Sequence, residues 1–543
     1  MSLDTLPAEL LYIISESLDP NDARNLRLVC RHVYPVTSAC AMRDVVFYPE
    51  GRDLQHLQEI ARHPVYHKQV KSLIYVNVQP MSKKTAQSNS NGTSGFLHSF
   101  RAVEEHVHNT YYLNSPIPWD GRAVAGPDYA EEQCVLHWYD MLSRAWDEQD
   151  ELFEQNRDYE AIKEAIGRLP NLSEVTVSSE DHLYQAKKTP FAHLPRAIPN
   201  LVYDMDLPTV REGACRNAWA IFAALHAAGT RLKALRLGMM PFEFLDHDGI
   251  GLGDLAHLFG GITEFKVCVQ GLTDDVVPFH RDDVPDDEQV EDVVDKRLRE
   301  FRRVAGNGVL GAAIASMTNL VELHLQLDEI GHVWHAYIRD TPEYSDIPPS
   351  PTTLDKLFTP GQAWLNLKSL FLQGVSTDRH QLVAFLENQP KLTSLVLVCI
   401  DIGTTSWQHL LPHMKEALPW TRTGTVEMSG HLTGRSEEDG EPDDVAAREV
   451  WKLQMPGSYW GPGPIAKAIS EYFRTGEHVP CPFTREKNGV EDLYEYAYLP
   501  KYHKRREQKE DQLHREYVKR QLEECRSLIY TCPAPWEIGT QPA

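Results

Sequence analysis

The chain has 543 residues, several times the usual size of one domain, so a small module joined to a larger body is expected. At 42% hydrophobic residues it can bury a sizeable core and is too apolar for a disordered chain. Its 54 lysines and arginines against 78 aspartates and glutamates leave a formal charge of −24. That argues against nucleic-acid binding and favours basic or mixed-charge protein partners. No apolar run is long enough for a membrane span. Asp4, Glu9 and Glu16 interrupt the N-terminal apolar stretch, and no basic segment precedes it, so no signal peptide is expected. Nine scattered cysteines without a CxxC pair fit free thiols in the cytoplasm or nucleus.

In chain order, the first element is a helix opened by Pro7 and Glu9, with Leu10, Leu11, Ile14 and Leu18 at helical spacing. Asp19-Pro20 restarts the chain as an N-cap followed by proline, with Asp22 in the first turn. A second helix is predicted to carry Leu26, Val29, Cys30 and Val33 on its apolar side. Two or three short helices in about forty residues cannot bury that surface alone, so a partner face is expected.

These residues carry a resemblance. Leu6-Pro7-x-Glu9-Leu10-Leu11-x-x-Ile14-x-x-x-Leu18, then Asp22 and Leu28-Val29-Cys30-Arg31, resembles the F-box motif over residues 3–42. The chain departs from it at Val33, where the family often has an aromatic; Tyr34 follows. The resemblance implies docking onto a Skp-type adaptor and, through it, onto cullin and RING subunits. The implied adaptor contacts are Leu6, Pro7, Leu10, Leu11, Ile14, Leu18, Leu26, Val29 and Cys30, some of which must serve the module's own core. The plainer alternative is a helical hairpin capping the body.

The body begins with a predicted strand (VVFY), a helix (LQEIARHP) and a second strand (VKSLIYVNV) over residues 44–78. The pattern L-x-x-L-x-L then recurs as Leu232/Leu235/Leu237, Leu320/Leu323/Leu325, Leu367/Leu370/Leu372 and Leu392/Leu395/Leu397. Softer versions are Leu172/Val175/Val177 and Ile262/Phe265/Val267. Each follows a helix-like stretch and a turn, so strand–helix units stacked on a parallel sheet are expected. The spacing is irregular and the usual asparagine ladder is absent. The resemblance here is to divergent leucine-rich arrays of F-box proteins, particularly fungal ones; a generic α/β domain with helices on both sheet faces is the alternative. Residues 199–206 could be a degenerate unit.

The expected architecture is therefore α/β in three parts. Residues 1–43 are the F-box, and residues 44–430 are an irregular leucine-rich-repeat-like solenoid with a parallel sheet. Inserted loops are placed at about 79–160, 272–300 and 329–352. Residues 431–543 form a partly helical extension: an acidic linker, an aromatic-rich cap over the last repeat, and a charged helix after Lys501.

No nucleotide, hydrolase, kinase or metalloprotease signature stands out. Gly306-x-Gly308-x-x-Gly311 and Gly251-x-Gly253-x-x-Ala256 match a dinucleotide fingerprint, but neither follows a predicted strand. His106 and His108 lack further ligands at metal spacing. No cofactor, metal or catalytic residue is expected. The reading is a substrate-recognition subunit of a Skp–cullin–F-box ubiquitin ligase, holding an unidentified protein target; the alternative is an F-box scaffold without a degradation target. Candidate target contacts are the outward strand positions Arg236, Lys266, His324, Phe371 and Val396, preceded by Thr176. The two cations point to an acidic target segment. Phe371 and Val396, with Val398, make an apolar patch suited to a hot spot or to the seat of the C-terminal cap.

Overall fold

The computed structural model describes residues 6–18, 20–26, 28–34, 36–37, 42–76, 144, 147–178, 208–246, 251–271, 296–297, 299–328, 352–403, 405–435, 448–453, 464–475 and 479–483. The degenerate unit proposed at 199–206, His106 and His108, and the charged segment after Lys501 lie outside the described residues.

Two short helices open the chain: α1 (Ala8–Ser17) and α2 (Pro20–Leu26). Pro7 is the N-cap of α1, one position earlier than its sequence suggests, and its carbonyl accepts from the backbone N–H groups of Leu10 and Leu11. The second helix is shorter than predicted. Val29 and Cys30 lie in a turn beyond it, and helical hydrogen bonds resume at Tyr34 N–H to Cys30 and Thr37 N–H to Val33. Among the described residues of this module the buried apolar side chains Leu11, Ala23 and Val33 stand outside the continuous core, which begins at Val45.

The body is an α/β structure on a nine-stranded, wholly parallel sheet. Its strands are β1 (Asp44–Phe47), β2 (Ser72–Val76), β3 (Glu174–Ser178), β4 (Ala234–Pro241), β5 (Glu264–Gln270), β6 (Glu322–Asp328), β7 (Ser369–Gln373), β8 (Ser394–Val398) and β9 (Thr425–Ser429). Each pairs with the next in the chain, so the spatial order is the sequence order. The pairing also keeps one register through the central row, and a bulge between Leu237 and Met240 shifts β4 against β5 beyond it. Leu73, Val175, Leu235, Phe265, Leu323, Leu370, Leu395 and Val426 lie side by side across β2 to β9. All eight are at most 2% exposed, which identifies this row as the spine of the core.

Helices complete the core on that side. Between β1 and β2, α3 (Gly51–Arg62) buries Leu54, Leu57, Ile60 and Ala61 along one stripe. Before β3, α4 (Arg157–Arg168) buries Ala161, Ile162, Ala165 and Ile166. Next come α5 (Pro208–Ala228), α6 (Val309–Ala315), α7 (Leu354–Leu357), α8 (Arg379–Glu387) and α9 (Trp407–Ala417). Asp378 and Ser406 cap α8 and α9 by accepting from Gln381 and His409 N–H groups. The helical residues join Val175, Leu235 and their row in one cluster, whereas Ile74, Val76, Cys268 and Val398, buried on the opposite sheet face, do not. The described helices thus pack on one face, and the alternative of helices on both faces does not hold for them. The insertion placed at 79–160 ends sooner: residues 147–154 are helical, and Leu152 joins the core.

Polar groups tie the layers at a few points. Arg216 of α5 binds the fully buried carboxylate of Asp158 in α4, the carbonyl of Phe153 and the side chain of Asn156. Beyond the strands a second ladder runs Thr353–Ser376–Asp401–Thr433. The 6%-exposed Asp401 accepts from Ser376 Oγ (2.9 Å) and Thr433 Oγ1 (2.6 Å). It does with Ser, Asp and Thr what an asparagine ladder would do, four residues after the last leucine of β7 and of β8.

The array does not end at β8. β9 reads Thr-Val-Glu-Met-Ser, with Val426 and Met428 inward and Thr425 and Glu427 exposed. A hairpin of β10 (His431–Arg435) and β11 (Arg448–Lys452) follows, then α10 (Pro464–Arg474). Leu432, Trp451, Ile469, Phe473 and Phe483 extend the same core, and Ser470 Oγ donates to the Val426 carbonyl of β9 (2.9 Å).

Tight turns hold the register. Gly374, just after β7, has φ +69°, and a Cβ there would lie 1.9 Å from the Leu327 carbonyl oxygen. Gly374→Ala is expected to cost about 3 kcal/mol or more, from left-handed strain plus backbone displacement. A chemical-denaturation midpoint equal to that of the parent chain would contradict this packing.

Candidate protein-interaction site

Two surfaces bear on function. The first is the N-terminal helical module. α1 carries five consecutive apolar residues, Leu10 to Ile14, so its apolar surface extends beyond one stripe. Only Leu11 is buried completely, with Ser15 one turn later donating to the Leu11 carbonyl (2.7 Å). His32 Nε2 meets the Leu6 carbonyl at 3.2 Å, tying the third segment back to the start of the module.

The nine residues implied as adaptor contacts therefore separate. Leu11 belongs to the module's interior. Pro7, Leu10, Ile14 and Val29 are exposed, while Leu6, Leu18, Leu26 and Cys30 are half-buried. Tyr12, Ile13, Leu28 and Tyr34 are also exposed, and the sequence reading did not count them as contacts. The continuous run at 10–14 was the signal for Tyr12 and Ile13: a helix that is apolar all round has more than one face to cover. Of the nine large apolar side chains exposed among the described residues, seven fall between Leu10 and Tyr34. Such a concentration makes this face a candidate interaction surface.

The second surface is the sheet face opposite the helices. The outward positions predicted from the repeats, Thr176, Arg236, Lys266, His324, Phe371 and Val396, form one register row, which Val46 and Ile74 precede and Glu427 extends. Its exposure changes along the array. Ile74 and Thr176 are buried, Arg236 to Val396 are half-buried, and Glu427 is exposed. All five candidate target contacts thus lie side by side.

Their chemistry differs from the expectation. Two residues earlier on the same face lie Glu174, Glu264 and Glu322. Arg236 contacts Glu264 through two nitrogens (2.7 and 2.6 Å) and Glu174 at 3.3 Å. Lys266 bridges Glu264 (3.2 Å) and Glu322 (2.8 Å), and Arg43 meets Glu174 at 3.6 Å. Arg236 and Lys266 are thus rungs of an ion-pair ladder and not an open basic patch. Period-two counting back from 176, 266 and 324 finds the carboxylates at 174, 264 and 322.

Titration follows the same contacts. Burial pushes the Glu264 carboxyl upward, but hydrogen bonds and charge from Arg236 and Lys266 outweigh it and leave it below its usual value. Burial likewise pulls Arg236 and Lys266 down, and their glutamate partners raise both on balance. At the apolar end His324 stacks on Phe371, with ring centroids 3.8 Å apart and planes within 5°. Val398 is fully buried one row on. The described aromatics of the C-terminal segment join the core instead: Trp451 lies 4.7 Å from Phe483, which also approaches Trp407.

Neither dinucleotide match has the required context. Gly306 follows helical residues 299–305, and Gly251 and Gly253 lie in turns before the 3-10 segment Ala256–Gly261. Among the described residues no cluster of three or more metal-ligating side chains occurs, and no helix is long and apolar enough to cross a membrane.

A carboxylate whose folded pKa is lowered adds stability above its unfolded value, and this is lost as pH falls through the folded pKa. Wild-type and Glu264→Gln chains are therefore expected to differ most in melting temperature near neutrality and to converge on acidification through and below the usual glutamate range. A gap that stays constant across that range would show that the ladder does not carry the difference. Comparison of the chain with family models and with curated proteins finds no match for either.

Proposed function

We propose that the chain is the substrate-recognition subunit of a Skp–cullin–F-box ubiquitin ligase. The N-terminal module would act as its F-box and the sequential parallel sheet as a leucine-rich-repeat-like solenoid. The observation that carries the reading is the motif at residues 6–31 combined with the exposure of Leu10, Ile14 and Val29 beside Leu11, Ala23 and Val33, the buried apolar side chains among the module's described residues. The strictly sequential strand order supports the solenoid, because a doubly wound sheet reverses its strand order at a switch point.

The proposed mechanism is tethering. The apolar face of α1 and the turn at Leu28–Val29 dock on the Skp-type adaptor, and the adaptor links to cullin and RING subunits. The outward row containing Arg236, Lys266, His324, Phe371 and Val396 holds the target. Fixing both ends raises the effective concentration of target lysines near the charged conjugating enzyme without any catalytic residue in this chain. Placement in the cytoplasm or nucleus follows from that role.

The exposure pattern supplies a two-sided test. Leu10→Ala with Ile14→Ala is expected to abolish adaptor capture at unchanged melting temperature, each truncation costing about 2 kcal/mol or roughly 30-fold in affinity. Leu11→Ala is expected instead to destabilise the module itself. Undiminished co-purification of the adaptor with the double variant would overturn the assignment.

A further inference from the structure

The outward row ends in a short apolar platform with carboxylates on either side. The His324–Phe371 stack and Val396 lie next to one another on β6, β7 and β8. On the β6 side stands Glu322, its side chain 41% exposed and paired with Lys266. On the β9 side stands Glu427, exposed and with no ion pair among the described residues. Glu322 lies one row before His324 on β6, and that row continues through the uncharged Ser369 and Ser394; the row after the platform holds Gln326 and Gln373.

We propose that this platform binds a target segment in which an aromatic or aliphatic anchor lies between two basic residues. The inference rests on the substrate-receptor reading and names the chemistry of its target. Three arguments support it. An acidic segment, which the two cations alone seemed to invite, would have to displace Glu264 from its two-nitrogen contact with Arg236. The outward face, counted with Arg43, carries Asp44, Glu174, Glu264, Glu322 and Glu427 against three cations, so its balance is anionic even before the chain's net charge of −24 is considered. That field draws basic segments toward the face. Finally, Glu322 and Glu427 lie three strands apart and one row apart along the strands, about 16 Å in all, which extended chain crosses in about five residues. The fitting segment therefore has two lysines or arginines about five positions apart, with the anchor between them on Phe371 and Val396.

Selection of a displayed random peptide library, about twelve residues long, on the full chain tests this directly. Enriched peptides are expected to share a large apolar residue between basic residues about five positions apart. Phe371→Ser and Glu427→Lys should each weaken a selected peptide by about tenfold or more. Glu427 is exposed, so its reversal leaves the fold intact should Phe371→Ser prove unstable. Acidic selected sequences, no enrichment, or affinities unmoved by Glu427→Lys would overturn the proposal. So would a carbodiimide cross-link from Glu427 to Lys501 or Lys504 in the chain alone, which would assign the platform to its own basic segment. Adaptor capture measured on the same preparations keeps this failure distinct from failure of the receptor reading.

Discussion

In-register pairing of nine parallel strands is the constraint on which the rest of the structure depends. Side chains alternate along a strand, so one register choice sends Val175, Leu235, Phe265, Leu323, Leu370 and Leu395 inward together and sends Thr176, Arg236, Lys266, His324, Phe371 and Val396 outward together. A one-residue slip in any strand would exchange the two sets and place Arg236 or Lys266 in a core of fully buried leucines. The hydrophobic row thereby also specifies the charged one. Carboxylates and cations meet across neighbouring strands because the leucines beside them are held in line.

The two candidate surfaces are built on opposite principles. The outward sheet face is preorganised: Arg236, Lys266 and their glutamates satisfy one another before any partner arrives, and the rings of His324 and Phe371 are already stacked. Binding there orders little that is not ordered beforehand. The N-terminal module instead leaves apolar surface exposed because so few residues cannot enclose it. Covering Leu10, Ile14 and Val29 would gain on the order of 1.5 to 3 kcal/mol for each side chain fully buried. The proposed adaptor contact is hydrophobic in origin, whereas the proposed target contact depends on charge placement for its selectivity.

Much of this was legible in the chain. All six recurrent leucine patterns became strands, and the lead-in at 44–76 formed the expected strand, helix and strand. Leucine at period two is an unambiguous signal when a helix must pack behind it. β9 escaped notice because Val426 and Met428 replace leucine and no third apolar residue sits three positions earlier. The Thr353–Ser376–Asp401–Thr433 ladder was missed because its register is set by the strands and not by any local motif. The charge of the outward face was misjudged for a related reason. Arg236 and Lys266 were considered alone, but a sheet residue's electrostatic surroundings come from neighbours about 30 to 60 positions away in this chain. In the N-terminal module, helical spacing named the apolar residues but could not divide interior from surface. That division depends on which turn of α1 meets Ala23 and Val33.

The central claim is that the exposed face of residues 10–34 is a docking surface for a Skp-type adaptor. Hydrogen–deuterium exchange of the full chain, alone and with that adaptor, tests it most directly. The account predicts new protection over residues 8–17 and 28–34, with exchange in β4 to β8 unchanged. Protection confined to the sheet, or no change anywhere at saturating adaptor, would contradict it.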